Sequence, residues 1–460
     1  MTLAITLRFD AGTLLLDGAP QDFASPAGSV WDPRVKQWRA PAWKYREVLT
    51  ALTRAARAGE IEVTDAARAY NTLTLTHRAQ RPPFAHQTEA VAAWKRAGNR
   101  GVVVLPTGSG KSYVAEMAIA TAQRSALVVA PTLDLMNQWY DVLVTAFGEK
   151  VGLLGGGYHE PADLTVSTYD SAWMHMDRLG ARWGLLIFDE CHHLPGASYL
   201  GAAESSLAPF RLGLTATLER SDGREALLDD RVGAVVYAKG IKELAGDHLA
   251  DYSIETLMVD LTPDEAEAYG LHRETYRDFV AGEGIRMGSP DGWQRFLMAS
   301  ARSSEGRRAF LSYQLQKRIA LASEGKIEVL EGLLRQHAKD RTLIFTNDND
   351  TVYAIARRFL VPAITHQTDV KERREILERF NDGRYPAVVT SRVLNEGVNI
   401  PEARVAIVLS GTASVREHVQ RLGRILRRQE GKRAILYEVI TRGTAEEHQS
   451  DRRREHDAYR

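Results

Sequence analysis

Short continuous apolar runs alternate with helical stretches through most of the chain. Between residues 84 and 240 the runs are GVVVLP, ALVVAP, LTVSTY, GLLIFD and RLGLTAT. Runs of this kind are typical of parallel strands that are buried on both faces of a sheet. Residues 341–440 repeat the pattern with RTLIFT, PAITH, AVVTS, VAIVLSG and AILYEVI. The pattern therefore predicts an α/β fold with two parallel-sheet units.

Two further segments follow different patterns. Near the start, LAITLRFD and GTLLLDGA flank the turn Asp10-Ala11-Gly12, which predicts a β-hairpin in a small separate unit. Between the two α/β units, residues 262–320 show a helical pattern. There Thr262 stands at an N-cap, Pro263 at the first helical position and Glu265 three residues in, which together predict a capping box.

Composition changes this picture only a little. Lys plus Arg and Asp plus Glu both number 59, so any surface for nucleic acid must come from local patterning. The single cysteine excludes an internal disulfide framework and fits a reducing cytosol. No apolar run is long enough to cross a bilayer, and the first residues lack the basic region of a signal peptide. We expect a cytoplasmic, nucleoid-associated protein with no membrane partner.

The stretch VVVLPTGSGKSYVAE predicts a phosphate loop between a strand and a helix. Gly108 and Gly110 let backbone N–H groups close around phosphate oxygens, Lys111 supplies positive charge, and the Ser112 hydroxyl faces Mg²⁺. The usual pattern begins with glycine, and here Leu105 stands at that position. The predicted cofactors are ATP and Mg²⁺, and the predicted contacts in the loop are Thr107, Gly108, Ser109, Gly110, Lys111 and Ser112.

The stretch LLIFDECHHLPG raises two interpretations, a zinc site or a hydrolytic site. Structural zinc usually takes four spaced ligands, whereas Cys191, His192 and His193 are adjacent and no second cysteine exists. The hydrolytic interpretation is favoured. In it Asp189 at the strand end binds Mg²⁺, and Glu190 orients and deprotonates the attacking water. We expect His192 to link this site to the rest of the protein, and Cys191 and His193 to be packing residues.

The stretch HVQRLGRILRR predicts a helix with Gln420, Arg424 and Arg427 on one face. That face can meet the γ-phosphate across a cleft, with the two arginines as arginine fingers and Gln420 near the attacking water. Arginine suits the task because its charge is permanent and its donors are forked. The alternative for this helix is a solvated basic face.

These motifs, in this order, resemble those of superfamily 2 helicases. Within that superfamily the chain is most similar to the XPB family in its short archaeal and bacterial form. The resemblance is carried by VLPTGSGKS, LLIFDECHHLPG, PFRLGLTATLERSDGR and EGVNIPEA with QRLGRILR, and more weakly by RAPAWKYREVL near the start. It implies two RecA-like domains, a helical thumb-like insertion and a small N-terminal α+β domain. It also implies a 3′–5′ DNA helicase or translocase with a role in nucleotide excision repair.

The resemblance also implies roles for individual residues. Gln87 in RPPFAHQ would recognise adenine, Gly397 would contact the nucleotide, and Thr215 and Thr217 would couple hydrolysis to strand movement. The residues implied to contact DNA are Pro131, Thr132, Thr168, Tyr169, Arg220, Asp222, Thr390 and Ser391. The family carries an Arg-Glu-Asp element where this chain has Ser221 in the middle, which leaves the role of this element in opening DNA undecided.

The predicted domains are an N-terminal damage-recognition-like unit (1–80), helicase domain 1 (81–245), the insertion (246–322) and helicase domain 2 (323–460). Two clusters keep two interpretations. The arginines at 302, 307 and 308 either contact the DNA backbone or form a solvated helix face, and the aromatic-basic run at 31–46 either stacks on bases or makes the core of a small domain. We expect a monomer that acts on DNA, with a structure-specific nuclease as an implied partner.

Two other functions share these motifs. One is an ATP-driven clamp that distorts DNA for a nuclease and unwinds little by itself, and the other is an RNA helicase or a restriction-type motor. No nuclease or methyltransferase motif is recognisable in the chain.

Overall fold

The computed structural model describes residues 3–26, 28–78, 81–196, 198–218, 223–244, 251–289, 291–391, 403–410 and 433–447. The chain divides into two compact units, and the division falls between residues 244 and 245. In the parts of the chain that the structure describes, none of the helices combines the length and apolarity needed to cross a membrane.

The first unit begins with a small α+β domain, as predicted. Its elements are β1 (Leu3–Asp10), β2 (Thr13–Asp17), β3 (Val30–Asp32), β4 (Gln37–Pro41), α1 (Tyr45–Arg57) and β5 (Ile61–Asp65). The sheet order is β3-β4-β2-β1-β5, and β1 and β2 form the predicted antiparallel hairpin. Val48 and Leu52 of α1 are buried in one cluster with Ile5 and Leu7 of β1, so the helix covers one face of the sheet.

A parallel α/β domain completes the first unit. Its elements are α2 (Ala85–Arg96), β6 (Arg100–Val104), α3 (Lys111–Ala122), β7 (Ala126–Ala130), α4 (Leu133–Phe147), β8 (Val151–Gly155), β9 (Tyr158–Glu160), β10 (Leu164–Thr168), α5 (Tyr169–Leu179), β11 (Leu185–Asp189), α6 (Leu200–Glu204), β12 (Phe210–Thr215), α7 (Leu227–Arg231), β13 (Val235–Ala238) and α8 (Ile241–Leu244). The five predicted strands of this region are confirmed as β6, β7, β10, β11 and β12.

The strand order determines at which edge of the sheet the candidate functional residues of this domain lie. The order is β13-β6-β12-β11-β7-β10-β8-β9, and every neighbouring pair is parallel except β8 with β9. Parallel neighbours end at the same edge, so the segments after β6, β12, β11, β7 and β10 lie side by side there. Ligands of open α/β sheets bind at this carboxyl edge. The three glycines at 155–157 all have positive φ and lie at the end of β8 and in the β8–β9 turn.

The small N-terminal domain packs against this α/β domain. Ala181 and Leu207 of the α/β domain are buried in the core cluster of the small domain. The Arg46 guanidinium donates a hydrogen bond of 2.8 Å to the Gly98 carbonyl, and the Arg231 guanidinium lies 4.1 Å from the centre of the Trp43 ring. Trp43 therefore serves this contact within the first unit.

The other two tryptophans of the predicted aromatic run lie within the small domain. Trp31 and Trp38 are half-buried and meet edge to face at 5.7 Å, and Trp38 packs against the core cluster. Their positions favour the packing interpretation over base stacking.

The second unit is also a parallel α/β domain with a helical insertion. Its elements are β14 (Asp251–Val259), α9 (Pro263–Gly282), α10 (Gly292–Arg302), α11 (Ser304–Leu321), α12 (Glu324–Gln336), β15 (Thr342–Phe345), α13 (Asn349–Phe359), β16 (Ala363–Ile364), α14 (Val370–Asn381), β17 (Ala387–Thr390), β18 (Val405–Val408) and β19 (Arg433–Thr441). The sheet order is β14-β19-β18-β15-β17-β16, all parallel.

The predicted insertion, 246–322, is only partly helical. Its helices are α9, α10 and α11, and the capping box at Thr262 and Glu265 is confirmed, with both reciprocal hydrogen bonds present. However, β14 pairs with β19 and is the edge strand of the second sheet, so this part of the range is not an insertion. Its partner lies far along the chain, and local pattern cannot reveal such a pairing. The predicted backbone-contacting arginines at 302, 307 and 308 are exposed, which fits both of their interpretations.

Candidate active site

The predicted phosphate loop joins β6 to α3. Gly108 and Gly110 have φ of +86° and +84°, a left-handed conformation that side chains with a Cβ disfavour. The buried Oγ1 of Thr107 has no hydrogen-bond partner among the described residues, so it is available to a bound group. Leu105 occupies the position where the usual pattern has glycine. Its φ is not positive, so a side chain with a Cβ is tolerated there. It is buried, and its N–H extends the ladder by donating to Thr215 at 2.9 Å.

Side chains at the start of α2 contact the backbone of the phosphate loop. The side-chain amide of Gln87 donates to the carbonyls of Ser109, at 3.1 Å, and Gly110, at 3.4 Å, while its oxygen accepts from Phe84 N–H. Nε2 of His86 lies 2.9 Å from the same Ser109 carbonyl. Gln87 is fully buried, so the predicted adenine-recognising residue supports the backbone of the loop. Its contact with adenine stays a prediction.

Lys111 and Asp189 are charged side chains at this site, and their surroundings indicate which ligands they can bind. Lys111 Nζ donates to the carbonyls of Leu105, at 3.1 Å, and Pro106, at 3.5 Å. Asp189, at the end of β11, is buried, and burial followed by the charge of Glu190 raises its pKa from 3.8 to about 6. A buried carboxylate whose ionised form is this costly is stabilised by a cation. With the Ser112 hydroxyl at the start of α3, the residues present therefore fit Mg²⁺.

Glu190 lies at the start of a hydrogen-bonded chain that leads away from the loop. Its backbone is left-handed, with φ of +46°, and its Oε2 lies 3.5 Å from both Thr215 Oγ1 and His192 Nδ1. Thr215 Oγ1 also lies 2.7 Å from the Thr217 carbonyl, to which it can donate. His192 Nδ1 lies 3.0 Å from the same oxygen, and its ring is completely buried. The arrangement brings together the three residues predicted to couple hydrolysis to movement.

Cys191 and His193, which flank His192 in the sequence, also bear on the alternative that this stretch is a zinc site. Cys191 is buried in the main core cluster of the α/β domain, so its prediction as a packing residue is confirmed. Burial raises the pKa of its thiol well above the usual value, which disfavours the thiolate that a zinc ligand needs. His193 is half-buried, with its ring near those of Tyr169 and His192.

The predicted DNA contacts in the first unit are of two kinds. Thr132 and Thr168 are the N-caps of α4 and α5, where each hydroxyl accepts a backbone N–H, and Pro131 is half-buried beside the first of them. Their helix N-termini lie at the sheet edge that carries the phosphate loop, a setting that suits anions. Tyr169, in contrast, is 1% exposed and belongs to the core. Its side chain points into the domain while its neighbour caps the helix, and its contact with DNA stays a prediction.

The predicted contacts in the second unit are also buried. Thr390 is completely buried at the end of β17, and its hydroxyl donates to the Ser391 carbonyl at 3.1 Å. The Thr390 side chain thus lies in the interior of the domain, and its contact with DNA stays a prediction. Ser391 is nearly buried, and its contact stays a prediction. Six predicted site residues lie outside the described part of the chain and also stay predictions: Arg220, Asp222, Gly397, Gln420, Arg424 and Arg427.

The sequence analysis did not identify Trp139. This side chain, on α4, is buried and donates its indole N–H to Asp189 Oδ2 at 2.8 Å. A usable signal existed, since Met136, Trp139 and Leu143 recur at helical spacing and mark the buried face of the helix. A tryptophan on such a face needs an acceptor for its N–H.

The two parallel sheets, the phosphate loop and the adjacent acid pair define an ATPase of the helicase class. Residues 80–220 match the family "Type III restriction enzyme, res subunit", and residues 325–429 match "Helicase conserved C-terminal domain". Residues 7–67 match "Xeroderma pigmentosum group B helicase damage recognition domain". The chain belongs to the XPB helicase family.

Curated relatives carry the same family name. The chain is 38% identical over 452 residues to "DNA 3'-5' translocase XPB2" of Sulfurisphaera tokodaii, covering 98% of this chain and 100% of that protein. It is 31% identical over 360 residues to "DNA 3'-5' helicase XPB" of Mycobacterium tuberculosis, covering 75% of this chain and 58% of that protein. The chain thus spans the whole archaeal relative and somewhat over half of the bacterial one.

Solved structures support the fold. The helicase domain of Hef from Pyrococcus furiosus aligns with a TM-score of 0.55 at 19% identity, covering 79% of this chain and 97% of that one. Dbp5 of S. cerevisiae, bound to RNA and ADP BeF3, aligns with a TM-score of 0.57 at 14% identity, covering 82% and 88%. At these identities the likeness concerns the fold alone.

Proposed function

We propose that this chain is an ATP-driven DNA helicase or translocase of 3′–5′ polarity. One observation carries the proposal: the phosphate loop, the acid pair and the N-termini of α4 and α5 share the carboxyl edge of one parallel sheet. A group that binds phosphate and a surface that suits a DNA backbone are thus neighbours. The names of the relatives, which include a DNA 3'-5' translocase and a DNA 3'-5' helicase, supply the substrate and polarity.

In the proposed reaction each group of the first unit has a distinct task. The loop N–H groups and Lys111 hold the β- and γ-phosphates, and the free Thr107 hydroxyl adds a donor. Ser112 and Asp189 would hold Mg²⁺, which neutralises phosphate charge when it is bound. Glu190 accepts the proton of the attacking water and orients it. Arg424, Arg427 and Gln420 of helicase domain 2 complete the proposed set.

The proposed coupling begins at Glu190. A change in its charge or position alters its contacts at 3.5 Å with the Thr215 hydroxyl and the His192 ring. The Thr215 hydroxyl, which also lies 3.0 Å from His192 Nδ1, meets the backbone of Thr217, which leads out of β12 toward the Arg-Ser-Asp segment. Through these contacts, hydrolysis would act on the Arg-Ser-Asp segment, at the position where the family resemblance implies that DNA is opened.

Several finer points belong to the same proposal. The proposed domains are 1–80 and 81–245, an insertion within 246–322 that excludes β14, and helicase domain 2, formed by β14 and residues 323–460. The match of residues 7–67 to a damage recognition domain supports a role in nucleotide excision repair. We further propose that the chain is a monomer and that a structure-specific nuclease is its partner.

The decisive test is ATP hydrolysis measured with single-stranded, duplex and forked DNA and with RNA. DNA should stimulate turnover, and Lys111→Ala or Glu190→Gln should reduce it by at least about 100-fold, since each removes a group acting on the reacting atoms. The exposed residues Lys95 and Glu62 provide matched controls, as Lys95→Ala and Glu62→Gln. DNA-stimulated turnover that survives in Glu190→Gln would refute the assigned mechanism, and stimulation by RNA alone would refute the substrate.

A strand-displacement assay separates the helicase from the clamp. The wild-type chain should displace the shorter strand of a forked duplex in an ATP-dependent manner. Strong DNA-stimulated hydrolysis with no displacement would favour the clamp that distorts DNA for a nuclease.

A further inference from the structure

Two aromatic side chains hold Asp189 from two different helices. From α4, the indole N–H of Trp139 donates to the carboxylate at 2.8 Å. From α5, the hydroxyl of Tyr169 donates to the backbone carbonyl of the same residue at 3.0 Å. All three residues are buried, at 2%, 1% and 8% exposure for Trp139, Tyr169 and Asp189. The carboxylate and the backbone carbonyl of Asp189 are therefore each held by a buried hydrogen bond.

These two helices are the ones that carry the proposed DNA contacts. Thr132 is the N-cap of α4, and Trp139 follows it seven residues later, roughly 10 Å along a rigid helix. Thr168 is the N-cap of α5, and Tyr169 is the next residue. A shift of either helix when DNA binds at its N-terminus is thus transmitted directly to Asp189.

We propose that Trp139 and Tyr169 are positioning residues that couple DNA contact at the starts of α4 and α5 to the metal-binding geometry of Asp189. The inference rests on the proposed function, because it needs both a nucleotide site and a DNA surface. The hydrogen bond of Trp139 is directional, so the coupling depends on its N–H as well as on the volume of its ring.

Equilibrium binding measures this coupling without any turnover. The dissociation constant of fluorescent single-stranded DNA is measured with and without a non-hydrolysable ATP analogue plus Mg²⁺, and that of the analogue with and without DNA. The two ratios must agree, because coupling between two ligands is reciprocal. In the wild-type chain we expect a ratio that differs from one by at least about fivefold.

The key variant is Trp139→Phe, which keeps an aromatic ring and removes the N–H. We expect the ratio of the variant's dissociation constants, with and without the second ligand, to lie within about twofold of one. Each ligand alone should still bind. Tyr169→Phe should reduce the ratio as well. The matched control is Trp94→Phe, since Trp94 is 1% exposed in the same domain and donates its N–H to the Arg211 carbonyl at 2.8 Å, away from Asp189. It should keep the wild-type ratio.

The outcomes separate this inference from the proposed function. A ratio in Trp139→Phe equal to that of the wild type overturns the inference, and so does equal loss in Trp94→Phe, which would indicate a general loosening of the domain. A wild-type ratio of one with intact DNA-stimulated hydrolysis overturns the inference alone. A wild-type chain whose hydrolysis ignores DNA overturns the proposed function, and the inference with it.

Discussion

Replacing Gly110 with alanine should weaken nucleotide binding roughly 30- to 700-fold, because the phosphate loop cannot keep its conformation. Gly110 has φ of +84°, and a Cβ at this position would overlap the side-chain nitrogen of Gln87. Two costs add. The left-handed backbone costs about 1–2 kcal/mol for a residue with a Cβ. Displacing the Gln87 amide breaks its hydrogen bonds to the Ser109 and Gly110 carbonyls, at about 0.5–1 kcal/mol each. The sum of about 2–4 kcal/mol converts to the stated loss, at 1.4 kcal/mol for each tenfold.

The assay is a titration of the variant with a fluorescent ADP analogue, alongside a melting curve that reports the stability of the chain. Gly157→Ala is the matched control, because Gly157 has a similar φ of +91° in the β8–β9 turn but no atom within 4 Å of an added Cβ. The Gly157→Ala variant has the cost of a left-handed backbone but no steric overlap, and the substitution lies away from the phosphate loop. Its nucleotide affinity should therefore equal that of the wild type. Binding by Gly110→Ala within about threefold of the wild type, or an equal loss in Gly157→Ala, would refute the reasoning.

Two further substitutions test the electrostatics of the buried groups. Asp189→Asn, studied with a chelator and no nucleotide, should raise the free energy of unfolding at about pH 8 by up to about 3 kcal/mol. Burial and Glu190 raise the pKa of Asp189 from 3.8 to about 6, so the wild-type chain loses stability as the pH rises through that window; a difference in urea unfolding that does not grow with pH contradicts this. Arg211→Met should destabilise the first unit by about 3 kcal/mol, because three buried carbonyls and one partly buried carbonyl lose the guanidinium that donates to them, while the relief of a buried charge offsets part of the cost. The exposed Arg96 is the control, as Arg96→Met, and equal urea midpoints for the two variants would contradict the expectation.

Local pattern was enough to predict the elements that carry the chemistry. The continuous apolar runs indicated the strands because a strand buried on both faces has no polar alternation. The Gly-Ser-Gly-Lys-Ser stretch predicted the loop because left-handed backbone and exposed N–H groups need glycine. The capping box at Thr262 was predictable because a helix N-terminus satisfies its donors within four residues.

Local pattern was insufficient where a side chain's role depends on its neighbours in space. Thr168 and Tyr169 are adjacent in the sequence, yet one caps a helix at the sheet edge and the other is buried against the strand that carries Asp189. The same holds for Arg211, a charged residue in a strand whose four carbonyl partners come from loops and helix ends of the same domain. Burial of such a group is decided by packing, which periodicity does not encode.

The sequence by itself thus determined most of the parallel strands, the glycine-rich loop after β6, and the acid pair at the end of β11. Only the tertiary structure decided that β12 lies between β6 and β11, that β14 joins the second sheet, and that Trp139 donates a hydrogen bond to Asp189. The physical reason is the range of the interactions. Helix caps, turns and apolar periodicity act over a few residues, whereas strand order and buried hydrogen bonds are settled by contacts between segments that are distant in the chain.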